Sequence, residues 1–142
     1  MRYWDTSALV PLQIQEEGTD LVRDWLREDP AIATWALTRL EIASAVERRF
    51  RDGVLTLAQR RDLLARFEGA ASTWGEVSDV FAVRTRALPM LARHELRAAD
   101  AAQLGAAACL AEGQPPSLEF VCLDRRLAAA ADREGFRVLS WP

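Results

Sequence analysis

Short apolar runs alternate with helical patterns along the whole chain, and an acid stands at four of the junctions. Strands separated by helical crossovers must lie parallel in one sheet covered on both faces, so the alternation predicts an α/β fold of three layers. Residues 2–6 read as a short buried strand, followed by a helix through Ala8, Leu9 and Leu12 that Thr6 and Ser7 can cap. Leu21, Val22, Trp25 and Leu26 recur at helical spacing, and residues 31–35 form a second strand. A helix from Thr38 to about Asp52 presents Ile42, Ala43, Val46 and Phe50; a second, over 56–70, presents Leu57, Leu64, Phe67 and Ala71; the two form a hairpin. A brief strand over 75–78 precedes a helix over 79–93 with Val80, Val83, Ala87 and Leu91 inward, which Pro89 should kink or shorten. An Ala-rich helix over 98–112, a strand over 118–123, a helix over 126–134 and a strand over 137–140 complete the chain.

The 142 residues suit a single domain, 1–142, with a proper core. No apolar run reaches the ~18 to 20 residues of a membrane span, and the N-terminus lacks the layout of a secretory signal. Cys109 and Cys122 fit no metal-ligand spacing and read as small core residues in a reduced cytoplasm. The net charge of −3 argues against a strong binder of bulk nucleic acid. All 18 basic residues are Arg, which can grip phosphate with a bidentate fork, and the absence of Lys removes chemistries that need an amine.

The four acids are Asp5, Glu41, Asp100 and Asp124. Each has a purely local explanation. Asp5 and Asp124 can cap the helices they precede, Glu41 fits a capping box with Thr38, and Asp100 suits the positive end of its helix. Together they point elsewhere, because strand-to-helix junctions of a parallel sheet gather on the edge where such folds bind ligands. Four carboxylates on one edge repel unless a cation joins them, and hard divalent ions such as Mg²⁺ or Mn²⁺ take oxygen ligands while keeping waters. Such an ion eases deprotonation of water and offsets charge on a phosphodiester. No other catalytic set is visible: the single His94, near a helix end, reads as a surface residue or a partner of the helix's C-terminal dipole, and no glycine-rich phosphate loop is present. Trp4, Trp25 and Trp35 fall in core patterns, while Trp74 and Trp141 sit near element ends, where packing is again favoured.

At these residues the chain resembles the PIN-domain nucleases, in particular the VapC-type toxins of toxin–antitoxin pairs. The resemblance rests on Asp5-Thr6-Ser7-Ala8-Leu9, Thr38-x-x-Glu41, the run Leu96 to Leu104 around Asp100, and the run Phe120 to Leu127 around Asp124. It implies a PIN-like fold, Mg²⁺- or Mn²⁺-dependent endoribonuclease activity on RNA, a homodimer and a cognate antitoxin. It carries Asp5, Glu41, Asp100 and Asp124 over as metal-site and catalytic residues, with Thr6 or Ser7 touching a held water or phosphate. Cys122 departs from the pattern, which leads one to expect a small polar residue such as Thr.

Two other readings compete. The same fold could serve as a catalytically inactive, partner-binding scaffold, with the hairpin over 38–71 as interface. A phosphoacceptor or phosphatase on a similar sheet would use a Lys near the phosphate, and the phosphatase an Asp-x-Asp pair; the chain has no Lys, and residue 7 is Ser.

Overall fold

The computed structural model describes residues 1–142. Its elements run β1 (Arg2–Trp4), α1 (Thr6–Gln13), α2 (Thr19–Glu28), β2 (Ile32–Trp35), α3 (Thr38–Arg51), α4 (Leu57–Ala71), β3 (Gly75–Val77), α5 (Val80–Arg93), α6 (Ala98–Leu110), β4 (Glu119–Val121), α7 (Arg125–Arg133) and β5 (Arg137–Leu139). The five strands pair in the order β3-β2-β1-β4-β5, every pair parallel. The expected α/β architecture is therefore present. The central strand β1 has β2 on one side and β4 on the other, so the chain changes direction across the sheet at β1. In open parallel sheets that switch point is where a crevice opens.

Strand alternation sends successive side chains to opposite faces. Tyr3 and Phe120 point to one face, where their rings stack at 5.3 Å and join a core with α5, α6 and α7. Trp4 and Val121 point to the other, into a core built from α1 to α4. The α3–α4 hairpin is latched by Arg60, which forks onto both oxygens of Glu47 at 2.6–3.0 Å, and α4 opens with a Thr56–Gln59 capping box.

Individual faces differ from the periodicity in instructive ways. On α4 the buried stripe is Leu63, Phe67 and Ala71; Leu57 is exposed, because six residues at about 100° each carry it off that stripe. On α5 the stripe is Val83, Ala87 and Met90, leaving Val80 and Leu91 exposed. Pro89 does not end α5, which runs on to Arg93; it lies on the exposed side, where the helical hydrogen bond it forfeits can be replaced by water. α6 comes unusually near α5. A Cβ on Gly105 would sit 2.8 Å from the Val83 carbonyl oxygen and 3.0 Å from the Ala87 Cβ.

His94 is not a surface residue. Its side chain is 6% exposed and its Nε2 lies 2.6 Å from Glu134 Oε1, a carboxylate that Arg93 also grips. Trp4 and Trp35 are buried, Trp25 is half-buried, and Trp74 packs against Phe67. No helix is long and apolar enough to cross a membrane.

Candidate functional site

Asp5, Glu41, Asp100 and Asp124 line one cleft of about 800 Å³ at the carboxyl edge of the sheet. Each arrives from a different element: Asp5 follows β1, Glu41 lies in the first turn of α3, Asp100 in the first turn of α6, and Asp124 precedes α7. None of the four forms an ion pair with an arginine.

Capping and convergence coexist in the three aspartates, on different oxygens. Asp5 caps α1 with Oδ2, which accepts from the Ser7 amide at 2.9 Å and the Ser7 hydroxyl at 2.5 Å. Asp124 caps α7 with Oδ1, accepting from Leu127 N at 2.8 Å. Asp100 receives Arg97 N on Oδ2 at 3.4 Å. In each case the other carboxylate oxygen accepts no protein hydrogen bond.

Glu41 behaves differently. Leu37, not Thr38, is the cap position of α3, and no side chain caps it, so the expected capping box is absent. Thr38 turns into the core instead, and Glu41 Oε2 accepts from the Thr6 hydroxyl at 2.6 Å. The structure also brings in Gln103, which sequence reading passed over: its Nε2 lies 3.3 and 3.4 Å from the two Glu41 oxygens. Its i+3 spacing from Asp100 was the available signal, since it sets both on neighbouring turns of α6. Ser7 is a hub, its Oγ accepting from Leu123 N at 2.9 Å and Asp124 N at 3.1 Å while donating to Asp5. The hydroxyls of Thr6 and Ser7 are thus engaged within the protein. Cys122 is buried with its Sγ 3.6 Å from Asp5 Oδ2, and burial pushes its thiol pKa up, away from thiolate chemistry. Trp141 closes one end of the cleft, its Nε1 donating to Leu123 O at 2.7 Å.

Burial and mutual repulsion raise the acids' affinity for protons. Asp5 is only 4% exposed. Burial, with Glu41 and Asp100 adding repulsion against the stabilising Ser7 bonds, lifts its pKa from an ordinary 3.8 to about 6. Burial also raises Glu41, opposed by its bonds from Thr6 and Gln103, and raises Asp100, with Asp124 contributing. The native state therefore binds the Asp5 proton more readily than the unfolded chain does. Above about pH 6 the ionised carboxylate costs stability on the order of 3 kcal/mol, and that cost fades as pH falls towards 4. Asp5→Asn keeps a capping oxygen and loses the charge, so without divalent ions it should melt higher than the wild type at pH 8, with the gap closing by pH 4. A pH series of melting curves checks this; a gap that does not change with pH is the contrary result.

The donor set is all oxygen, which suits Mg²⁺ or Mn²⁺ rather than the nitrogen- and sulfur-seeking Zn²⁺. No three His, Cys, Asp or Glu side chains are close enough to make a ready-built cage. One free oxygen per aspartate fits an ion that keeps several of its waters. Around the acids stand Arg48 on one wall and Arg97, Arg125 and Arg126 on the other, none of them in an ion pair.

The PIN domain family model matches residues 2–133. The chain belongs to the PIN-domain family. PIN domains are generally nucleases. Comparison with curated protein sequences finds no significant match. Among solved structures this PIN domain is similar to a chain of a toxin–antitoxin complex from Klebsiella pneumoniae, with a TM-score of 0.67, 17% sequence identity, and coverage of 98% of this chain and 96% of the other. At that identity the likeness speaks for the fold.

Proposed function

We propose that this PIN domain is a Mg²⁺- or Mn²⁺-dependent endoribonuclease, the VapC-type toxin of a toxin–antitoxin pair, acting as a homodimer in the cytoplasm and held inactive by a cognate antitoxin. One observation carries the reading. Asp5 is a buried carboxylate with one oxygen free, sharing an open cleft with the three other candidate acids, and no arginine forms an ion pair with it. Burying a charge without a partner is costly, so such an arrangement calls for a cation from outside. Asp5, Asp100 and Asp124 would hold it through their free oxygens, directly or through its waters, and Glu41 would complete the acidic wall. When bound, the ion supplies positive charge against the phosphodiester and eases deprotonation of the attacking water. The protein's own arginines do the rest. Arg48, Arg97 and Arg126 flank the acids on two sides and suit the phosphates of a single RNA strand crossing the cleft, with unpaired loops able to enter where duplex would not. That the similar solved structure is a toxin–antitoxin complex supports the antitoxin partner.

The test is incubation of purified protein with a structured RNA in EDTA, Mg²⁺ or Mn²⁺. Cleavage within unpaired segments, present with either ion and absent in EDTA, is the expected result. Intact RNA under all three conditions would sink the enzyme reading and leave the scaffold.

A further inference from the structure

We infer that Gln103 is a positioning residue that sets the Glu41 carboxylate toward the cleft. This deepens the proposed function, because it rests on reading Glu41 as part of the ion's acidic wall. Gln103 is 1% exposed, so its amide must find protein partners for both ends. Its Oε1 accepts from the Tyr3 hydroxyl at 2.6 Å. Its Nε2 faces Thr38 Oγ1 at 3.0 Å, Thr6 Oγ1 at 3.1 Å and both oxygens of Glu41.

The amide can sit only one way round. An ionised carboxylate accepts and never donates. Turning the amide over would set Oε1 against the Glu41 oxygens and leave the Tyr3 hydroxyl facing an NH₂ group. The Glu41 carboxylate thus selects the orientation, Tyr3 from the central strand braces it by donating to Oε1, and Gln103 in turn holds Glu41 together with Thr6. The anchoring goes deeper: Thr34 Oγ1 lies 2.8 Å from both Thr38 Oγ1 and the Trp4 carbonyl oxygen. The acid on α3 is thus aimed by the first two strands and by α6, the helix that also carries Asp100.

Two measurements test the assignment. Calorimetric titration of Mn²⁺ into metal-free protein reads the functional consequence. Losing a buried partner of a metal-site acid typically weakens binding about 10- to 100-fold, and Gln103→Met should fall in that range. Tyr3→Phe, which frees the amide to rotate, should move the same way by less. In a Glu41→Ala background Gln103→Met should weaken binding no further, whereas a merely structural role would cost the same in both backgrounds. Unchanged Mn²⁺ affinity in folded Gln103→Met, or in Tyr3→Phe if Gln103→Met does not fold, overturns the assignment. The second measurement needs no metal: the two side-chain amide protons of Gln103 should give separate, slowly exchanging NMR signals that shift in Glu41→Ala. Fast exchange with solvent, or signals that do not move in Glu41→Ala, overturns it. A wild type that binds no Mn²⁺ refutes the metal reading instead, and the amide signals then decide the Gln103 assignment.

Discussion

Asp5→Asn should reduce RNA cleavage by about 10³-fold while the protein stays folded. The magnitude follows from the charge: a divalent ion at a phosphoryl centre is worth several kcal/mol of transition-state stabilisation, and each ~1.36 kcal/mol is a factor of ten in rate. Asp5 is the most buried of the four acids and the one from the central strand. Its neutral replacement leaves three of the four candidate acids charged and removes one negative charge from the cleft. The fold should survive, because an asparagine oxygen can still accept from the Ser7 amide at the head of α1. Asp100→Asn should behave alike. Cleavage rates with Mn²⁺ and far-ultraviolet circular dichroism on the same samples decide the matter; cleavage at the wild-type rate by either variant refutes the site.

Gly105→Val should destabilise the fold by about 3 kcal/mol, towards the upper end of overpacking costs. Gly105 is helical, so its lack of a side chain reflects contact, not conformation. The atom that a new Cβ meets first is the Val83 carbonyl oxygen at 2.8 Å, part of the α5 backbone, which cannot rotate aside as a side chain would. The Ala87 amide nitrogen stands 3.2 Å away on the same helix. Relief requires α6 to move bodily away from α5, and α6 carries both Asp100 and Gln103. For a chain of this size the loss corresponds to roughly 10 °C in melting temperature, readable by calorimetry. A shift under about 2 °C would mean that the two helices part at little cost.

The fold was legible because it depends on alternation. Runs such as Phe120-Val121-Cys122-Leu123 between helical patterns leave few arrangements other than a parallel sheet. The four acids were legible for the same reason, since junction positions in such a sheet meet on one edge, and the structure gathers all four around one cleft. Helix faces were harder to read. Leu57 and Val80 have the right composition and the wrong angle, and a hydrophobic side chain in a first turn can stay exposed at modest cost. Gln103 was hidden by chemistry. A glutamine in an Ala-rich helix looks like any polar residue until the fold supplies Tyr3 and Glu41 as partners for both ends of its amide. His94 misled in a similar way, because its partner Glu134 lies 40 residues on. Asp5, Asp100 and Asp124 posed a choice between capping and site that the structure does not force, since capping takes one carboxylate oxygen and leaves the other without a protein hydrogen bond.

That division has a consequence for binding. A free carboxylate gives up rotamer freedom when it closes on a ligand, and that loss is subtracted from affinity. Here folding has already exacted it, since the first turns of α1 and α7 hold Asp5 and Asp124 in fixed rotamers. A cation bound there, as proposed, would meet two side chains with little rotamer freedom left to lose.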